Sequence, residues 1–408
     1  MNVFSFLVGK KLQEDISKTG GSWFKGDKVI WMIVVLLSLL SLAAVYSSIV
    51  TLAYKHQDGN TEYYLFKHLK IILLGIFLMF ITHRMKYTYF SRISQLMLLF
   101  SVPLLLYTLS RGTNLNDASR WIPIPGTGLT FQTSDFAKLA LIMYLARVLT
   151  QKQNELNDFK TILIHIMIPV ALICGLILPA NFSTAALLFV TSLILMFIAG
   201  VKFKFIGGVL GIGILGFALL LLMGAAAPKL LPRAETWKNR FVNFIQGEEN
   251  PDPDKTFQAD QAKIAIATGG VLGKGAGNST QRNFLPHPYS DFIYAMVVEE
   301  YGLVGGIIIV MLYLILLFRG VRVSTRSGKT FGQLLAFGLA FQLIFQGLIN
   351  MAVAVNLFPV TGQPLPFLSM GGTSLLFSSI AVGIILSVSR ETEEGADGTG
   401  EGGAVAAA

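Results

Sequence analysis

Charged residues are scarce in this chain, and their scarcity excludes a soluble globular domain. They make up 13% of the 408 residues, whereas 53% are hydrophobic; a soluble domain is about a quarter charged. No soluble core accounts for so many apolar runs of bilayer length. The 30 phenylalanines and 40 glycines are typical of a lipid-facing protein whose helices also pack closely.

Three other features are missing. Cys174 is the single cysteine and lies in an apolar run, so the sequence allows no intrachain disulfide. A cleavable signal peptide is not expected, because residues 1–28 are polar and basic and the apolar run from Val29 is too long for its hydrophobic region. An internal repeat, the signature of many transporters, is not visible. We therefore expect the first apolar run to be an uncleaved membrane span.

Apolar runs of membrane length predict an all-α, polytopic membrane protein with about ten transmembrane helices. The predicted spans are 29–53, 69–83, 93–109, 134–150, 161–178, 184–200, 203–224, 293–318, 331–356 and 374–389. A tilted helix needs about 20 residues to cross the hydrocarbon, so the second and fourth spans are short. The longest connection, residues 225–290, separates the seventh span from the eighth.

Lysine and arginine are concentrated on one side of the predicted spans. The connections on that side contain Lys10, Lys11, Lys18, Lys25, Lys28, Arg84, Lys86, Arg92, Arg147, Lys152, Lys160, Lys202, Lys204, Arg319, Arg322, Arg326 and Lys329. By the positive-inside rule this side is cytoplasmic, which places both termini inside and the loop 225–290 outside. The formal charge of +9 follows from this topology and does not indicate a nucleic-acid partner.

This topology divides the chain into three regions. A basic cytoplasmic segment, residues 1–28, precedes a transmembrane domain, residues 29–390. The remaining residues, 391–408, are rich in glycine, alanine and acid, a composition that predicts a disordered cytoplasmic tail.

The first outward segment with unusual polar residues runs from Arg120-Trp121 to the start of the fourth span. Asp135 and Lys138 are three residues apart, so they share one helix face near its outer end. A lysine just inside a span is costly unless it is paired or faces water. Two interpretations stay open: a local ion pair whose lysine reaches the interface, or a cation held in a polar cavity.

The second outward segment contains a glycine-rich stretch and an isolated aspartate. Residues 269–277, which include Lys274, predict a flexible loop; it is not a Walker A loop, because glycine follows Gly-Lys where serine or threonine is required. Asp291 opens the next apolar helix. An acid in a first helical turn is favoured by the helix dipole, which is the simplest interpretation, and a functional carboxylate at the mouth of a span is the alternative.

Two further acids follow inside the same apolar run. At about 100° per residue, Glu299 lies about 80° from Asp291 around the helix, and Glu300 lies about 180° away. One of them can line the same cavity as Asp291, whereas the other needs a different partner. Carboxylates at this depth are functional candidates by default.

The third outward segment, residues 356–374, is uncharged and contains Ser369 and Thr373 among three prolines and three glycines. This composition predicts a re-entrant or tightly folded segment. Irregular backbone is tolerated at membrane depth only when it is buried in protein or lines a cavity. A plug in contact with lipid is the alternative interpretation.

These three segments, in this order, resemble the SEDS family (shape, elongation, division and sporulation), typified by RodA and FtsW. The resemblance runs from the first span to about Arg390. Its most specific parts are QTSDFAKL at 132–139, the glycine-rich stretch that leads to SDFIYAMVVEEYGLVGG at 290–306, and PVTGQPLPFLSMGGTS at 359–374. Asp291 matches the essential aspartate of the family, Asp135 and Lys138 match its acidic–lysine pair, and Arg120-Trp121 matches its Arg-Trp.

Three positions depart from the family pattern. Thr133-Ser134-Asp135 stands where Pro-Ser-Glu is usual, residues 179–184 lack the usual acid of Pro-Asp-x-Gly-Thr, and Met370 replaces a common tyrosine. None of these departures touches Asp291. The Thr-Gly-Gln-Pro sequence at 361–364 and the long basic N-terminal segment resemble the division branch, FtsW, more than RodA.

The resemblance implies a glycosyltransferase that polymerises lipid II into peptidoglycan strands on the outer face of the cytoplasmic (inner) membrane. Its reaction inverts the donor carbon, which requires a general base, the role expected for Asp291. Lys138, Arg120 and Lys274 are candidates to hold pyrophosphate, with or without a divalent cation such as Mg²⁺ or Mn²⁺, and Asp135 would position Lys138. Further candidates for substrate binding are Trp121, Glu299, Glu300, Ser369 and Thr373.

The resemblance also implies partners and leaves rival functions open. The expected partners are lipid II, the undecaprenyl diphosphate that is released, a class B penicillin-binding transpeptidase, and other proteins of the division or elongation complex. The rivals are an elongation polymerase like RodA, a lipid II flippase and a non-catalytic division scaffold. A flippase would need charged groups at mid-depth or on both sides of the membrane, whereas this sequence concentrates them outside.

Overall fold

Helices dominate the computed structural model, which describes residues 25–56, 59–115, 118–124, 129–226, 253–285 and 288–398. In chain order they are α1 (Lys28–Ser48), α2 (Val50–His56), α3 (Thr61–Arg84), α4 (Tyr87–Arg111), α5 (Thr133–Gln151), α6 (Phe159–Ile177, with a π turn at Leu163–Met167), α7 (Phe182–Ile198), α8 (Phe203–Ala226), α9 (Pro253–Gly269), α10 (Ile293–Arg326), α11 (Thr330–Ala354) and α12 (Thr373–Gly398). Short 3₁₀ turns lie at Gln153–Glu155 and Gln281–Asn283.

Eight of the described helices are long and apolar enough to cross a membrane: α1, α3, α4, α6, α8, α10, α11 and α12. This confirms the predicted all-α, polytopic membrane class. The count of ten is not confirmed, because α7 is apolar but only 17 residues long and α5 carries Asp135, Lys138 and Arg147. The second predicted span, 69–83, is part of the longer helix α3, whose first turn is capped by the side chain of Asn60.

A small antiparallel sheet lies between α4 and α5 and was not predicted from the sequence. Its strands are β1 (Thr113–Leu115), β2 (Ala118–Ile124) and β3 (Leu129–Gln132), in the order β1-β2-β3. In this register Trp121 lies opposite Gln132. The sheet places the predicted Arg-Trp pair on its central strand, and β3 leads directly into α5.

The interior of the bundle is built around α11 and α12. Most of α12 is buried inside the protein, as is most of α11, whereas α8 is almost entirely exposed. α3 packs along α12, α10 packs along α11, and α4 packs along α5. Side chains of α11 therefore reach neighbours from several elements.

The two described chain ends meet at one end of the bundle. Asp27 caps α1 and accepts a hydrogen bond from Arg319 at 2.7 Å, and Lys25 pairs with Glu394 at 3.1 Å. The helix α12 runs to Gly398, beyond the predicted start of the disordered tail at Glu391. Residues 1–24 and 399–408 of the predicted terminal segments, and 227–252 of the predicted outer loop, lie outside the described residues.

Candidate functional site

Asp291 lies in the turn before α10 and is held mainly through its backbone. The side chain of Asn350 donates a 2.8 Å hydrogen bond to the Asp291 carbonyl oxygen. Ser290 Oγ donates to the Asp291 carboxylate at 2.9 Å. The residue is partly exposed, and no lysine or arginine among the described residues forms an ion pair with it. This carboxylate therefore has the geometry of a group able to accept a proton from an incoming hydroxyl.

The neighbouring Tyr289 is a protonated phenol at neutral pH. Burial raises its pKa above the ordinary value, and the nearby Tyr64 and the Asp291 carboxylate raise it further. Its carbonyl oxygen accepts a 2.9 Å hydrogen bond from the backbone N–H of Met370. The turn that carries Asp291 is thus tied to the third outward segment.

That segment, residues 356–374, forms a re-entrant loop in which residues 365–369 are buried in protein, which fits the first of the two sequence interpretations. Leu365 and Leu368 are almost completely buried. The loop's carbonyl groups are satisfied by side chains of the helices around it: Asn350 donates to Gln363 O at 2.7 Å, and Ser41 donates to Leu368 O at 2.7 Å. The alternative, a plug in contact with lipid, stays a prediction for the exposed Leu357 and Phe358 at the start of the loop.

Ser369 and Thr373, both predicted to bind substrate, use their hydroxyl groups on the protein itself. Ser369 Oγ donates to Ser290 O at 2.5 Å and accepts from Leu365 N at 2.8 Å. Thr373 Oγ1 donates to the carbonyl oxygen of Thr130 at 3.0 Å and accepts from the backbone N–H of Gln132 at 3.1 Å. These bonds fix the re-entrant loop to the Asp291 turn at one end and to β3 at the other.

Asp135 and Lys138 form the predicted ion pair, and it faces the protein interior. The Lys138 ammonium lies 2.7 Å from Asp135 Oδ1, and the two residues are only 8% and 4% exposed. A cavity of about 50 Å³ adjoins the pair; its walls include Gln342, Gln346 and Phe377. The pair therefore lies at a cavity with both polar and apolar walls, and the second interpretation, a cation that acts in a polar cavity, stays a prediction.

Two residues that sequence reasoning did not single out, Gln346 and Asn350, connect the ion pair with the Asp291 turn. Gln346 accepts a 2.9 Å hydrogen bond from Lys138, and Asn350 donates to Asp291 O. They are one turn apart on α11, about 6 Å along its axis. Polar amides four residues apart in an apolar helix were the available signal, since such residues often bond across helices in membranes.

The glycine-rich loop, residues 269–277, packs on a break in α10. Gly302 has a φ of +69° inside that helix, which interrupts the helical hydrogen bonds. The backbone groups left without helical partners bond to the loop instead: Lys274 N donates to Glu299 O at 3.0 Å, and Leu303 N donates to Gly270 O at 2.9 Å. A Cβ at Gly273 or Gly302 would overlap backbone atoms of the opposite segment. The glycines are therefore required for this close approach.

Glu299 holds the same loop through hydrogen bonds to its carboxylate. Its fully buried carboxylate accepts hydrogen bonds from Lys274 Nζ at 2.6 Å, Thr280 Oγ1 at 2.9 Å and Ser279 Oγ at 2.5 Å. The Lys274 ammonium is thereby held on a protein carboxylate. Its predicted contact with pyrophosphate stays a prediction.

Glu300 points to another neighbour. Its carboxylate accepts a hydrogen bond from Ser47 at the end of α1, and Arg282 donates to the carbonyl oxygen of Ser47 at 3.2 Å. The expectation that Glu299 or Glu300 lines a cavity with Asp291 is not met by these contacts. The reason is that the loop 269–282 folds back over α10 and supplies donors to the Glu299 carboxylate, whereas Ser47 of α1 supplies the donor to the Glu300 carboxylate.

The remaining predicted site residues belong to the sheet. Trp121 is half-buried on β2, and the side chain of Arg120 lies outside the described part of the structure. Within the described residues no cluster of three or more His, Cys, Asp or Glu side chains could hold a metal ion. The roles of Arg120 and Trp121, and of Mg²⁺ or Mn²⁺, stay predictions.

Comparison with known proteins gives consistent matches along most of the chain. The profile of a family described as cell cycle protein (FtsW/RodA/SpoVE) matches residues 27–394. A probable peptidoglycan glycosyltransferase FtsW of Trichlorobacter lovleyi is 35% identical over 371 residues, covering 89% of this chain and 93% of that protein. Stage V sporulation protein E of Bacillus subtilis is 32% identical over 372 residues, with 89% and 97% covered.

Solved structures share the fold. A chain of a peptidoglycan synthase complex that coordinates polymerization and crosslinking superimposes with a TM-score of 0.70 at 23% identity, covering 91% of this chain and 99% of that chain. The rod shape determining protein RodA of Thermus thermophilus gives a TM-score of 0.64 at 21% identity, with 91% and 98% covered. At these identities the likeness concerns the fold alone.

Proposed function

This chain belongs to the FtsW/RodA/SpoVE family of cell cycle proteins, and from that premise we propose that it polymerises lipid II into peptidoglycan strands. Its relatives identify it as a glycosyltransferase of peptidoglycan synthesis. The main observation behind the proposal is that two chemically distinct groups are hydrogen-bonded to the same helix, α11. The partly exposed Asp291 and the buried Asp135–Lys138 pair both bond to side chains one turn apart on this helix.

In the proposed reaction, the 4-hydroxyl oxygen of an acceptor GlcNAc attacks C1 of a donor MurNAc. The Asp291 carboxylate takes the hydroxyl proton, and undecaprenyl diphosphate leaves with the electron pair of the broken C1–O bond. Direct displacement inverts the carbon and needs one base and stabilisation of the leaving charge, without a protein nucleophile. A single carboxylate fixed by its backbone, as Asp291 is by Asn350, supports this assignment.

Lys138 is the candidate to stabilise the leaving pyrophosphate. Its ammonium is held beside a cavity by Asp135 and Gln346, and a fixed cation in a poorly hydrated site acts strongly on developing negative charge. Lys274 is a second candidate; like Lys138 it is paired with a buried carboxylate, that of Glu299, but its side chain is more exposed. Mg²⁺ or Mn²⁺ bound together with substrate would supply further positive charge.

We place the activity in septal synthesis during cell division, at the outer face of the cytoplasmic membrane with both termini inside. The FtsW names of several relatives support the division branch. The complex that coordinates polymerization with crosslinking supports a penicillin-binding transpeptidase as partner. The orientation rests on the excess of lysine and arginine at the end of the bundle that holds the described chain ends.

Polymerisation by the purified protein tests the proposal directly. The full chain, alone and with a transpeptidase partner, is incubated with lipid II, and the glycan products are separated by length. We expect strands of many disaccharides. Unchanged lipid II under both conditions would contradict the proposal, and transfer of labelled lipid II across vesicle membranes without polymerisation would favour the flippase instead.

A further inference from the structure

Gln346, a buried amide of α11, touches both halves of the candidate site. Its Oε1 accepts a 2.9 Å hydrogen bond from the Lys138 ammonium, and its Nε2 donates a 3.0 Å hydrogen bond to the carbonyl oxygen of Pro364. The orientation of the amide is forced, because a lysine ammonium only donates hydrogen bonds and a carbonyl only accepts them. Gln346 therefore bridges the ion pair and the re-entrant loop.

Asn350 makes the matching bridge one turn nearer the end of the bundle that carries Asp291. Its Nδ2 donates to Gln363 O at 2.7 Å and to Asp291 O at 2.8 Å. Both amides are buried, with 5% exposure for Gln346 and 2% for Asn350. The re-entrant loop is thus fixed at two neighbouring carbonyl groups, one of them linked to Lys138 and the other to Asp291.

The hydrogen-bond donors of Lys138 determine the orientation of its ammonium group. An ammonium has three N–H donors, and among the described residues Asp135 and Gln346 each accept one of them. Two fixed acceptors leave the third N–H pointing in a defined direction. With Asp135 alone, the ammonium could rotate about a single bond. Because glutamine is neutral, it orients the ammonium without compensating the charge that an anionic ligand needs.

We propose that Gln346 is a positioning residue: it aims the Lys138 ammonium at the diphosphate of the lipid substrate and fixes its distance from Asp291 through the re-entrant loop. This inference rests on the proposed function, since it takes the ligand of Lys138 to be a polyprenyl diphosphate. Gln346 acts through Lys138 and has no contact of its own with the ligand.

The test is a double-mutant cycle on ligand affinity. Gln346→Met, Lys138→Met and the double variant of the full chain are purified, and binding of radiolabelled undecaprenyl diphosphate is measured at equilibrium. Methionine keeps the size of glutamine but cannot accept the hydrogen bond. We expect Gln346→Met to weaken binding about 10-fold, as for loss of a hydrogen bond to a charged group. The double variant should bind no more weakly than Lys138→Met, because the two residues act as one unit.

Gln333→Met is the matched control on the same helix. Its amide donates to the Ser327 carbonyl oxygen at 2.9 Å, at the end of α11 far from Asp291, and we expect wild-type affinity. The thermal unfolding midpoint of every variant is recorded. A purely structural role for Gln346 would lower that midpoint and leave the affinity unchanged.

Four results would overturn the inference: no binding by the wild-type protein, wild-type affinity of Gln346→Met, additive losses in the double variant, or an equal loss in Gln333→Met. The proposed function fails separately. A wild-type protein that binds undecaprenyl diphosphate but never polymerises lipid II would refute the activity and leave the cycle interpretable. If the protein polymerises lipid II but the losses in the double-mutant cycle are additive, only the role of Gln346 is refuted and the proposed function stands.

Discussion

Buried carboxylates near the site depend on partners supplied by other residues. Asp135 pairs with Lys138, and Glu299 accepts from Lys274, Ser279 and Thr280. Removing one partner of a buried ion pair costs about 3–5 kcal/mol, because the other charge stays buried and uncompensated. Loss of activity on substitution can therefore reflect loss of stability. Activity and stability of each variant therefore have to be measured together.

Asp291→Asn should leave a folded, membrane-inserted protein that lacks polymerase activity. Asparagine keeps the shape of the side chain and the backbone bond to Asn350, but it cannot take a proton near neutral pH. Loss of general-base assistance lowers the rate by about 10²–10⁴-fold. The measurement is glycan synthesis from lipid II by the purified variant, with the thermal midpoint as a check on folding.

Asp260→Asn is the control for this substitution. Asp260 lies on α9, where it forms an exposed ion pair with Lys263 at 3.0 Å, and we expect wild-type synthesis because exposed pairs contribute little. Near-normal synthesis by Asp291→Asn would refute the assignment of Asp291 as the base.

Asp135 and Lys138 should behave as a coupled pair. Asp135→Ala leaves the ammonium without its carboxylate, so it should lower both stability and activity, and Lys138→Ala should abolish charge stabilisation of the leaving group. The double variant should lose less than the sum of the single losses in stability, because the residues share one network. Thermal midpoints and glycan synthesis of all three variants provide the test. Full activity in both single variants would contradict a role in turnover.

The interlock of the glycine-rich loop with the broken helix α10 is the main feature at the scale of elements. Backbone groups freed at Gly302 are satisfied by the loop, and Glu299 satisfies donors of residues 274–281 from the other side. The loop, the break and the buried acid therefore form one unit. This unit packs at the same end of α10 as the Asp291 turn.

Gly273→Ala should disrupt that unit, whereas Gly270→Ala should be tolerated. Both glycines have positive φ, +82° and +57°, but a Cβ at 273 would overlap the Glu300 carbonyl oxygen and a Cβ at 270 meets open space. The left-handed conformation alone costs about 1–2 kcal/mol, and the overlap adds about 1–3 kcal/mol. Thermal unfolding should separate the two variants. Equal midpoints would contradict the interlock.

Cleavage by trypsin after Lys274 gives a second, local measurement of the same prediction. The loop backbone is bonded to α10 on both sides of this lysine, so the wild-type bond should resist the protease. Gly273→Ala should be cleaved there faster than Gly270→Ala. Cleavage at equal rates in both variants would show that the loop is not fixed by this contact.

Sequence patterns located the helices well and the sheet not at all. Long apolar runs require helices in lipid, because only a helix satisfies its own backbone there. The strand β2 contains Pro123, which lacks an N–H and normally argues against a central strand. The start of α3 was missed because Glu62 and Lys67 interrupt its apolar pattern before the membrane region.

The candidate site was predictable where charge marks it. Asp291, Asp135 and Lys138 stand out because ionisable residues are rare in apolar helices. Gln346 and Asn350 carry no charge and were overlooked, although their bonds connect the other three. The role of Glu299 could not be read from helical periodicity, since its partners come from a loop that folds back from elsewhere in the chain.

At the scale of the whole molecule, the bundle has two chemically different ends. One end holds the described chain ends, where Gly26 N bonds Glu393 and Tyr87 N bonds Glu391. The other end holds the Asp291 turn, the glycine-rich loop and the end of α1, where Arg282 reaches Ser47. The helix α1 connects the two ends. The candidate site thus lies at one end and the described chain ends at the other, an arrangement compatible with the proposed polymerase acting outside the cell.

The direction of this bundle in the membrane can be tested by labelling single cysteines at its two ends. Basic residues cluster at the end with the described chain ends, which the positive-inside rule assigns to the cytoplasm. We therefore expect Ala276→Cys, in the exposed glycine-rich loop, to react with an impermeant maleimide in intact spheroplasts. Gly328→Cys, in the exposed turn between α10 and α11, should react only after permeabilisation. Both are made in a Cys174→Ser background, which removes the native buried thiol. The opposite labelling pattern would invert the topology and place Asp291 in the cytoplasm, where it could not act on an outward-facing substrate.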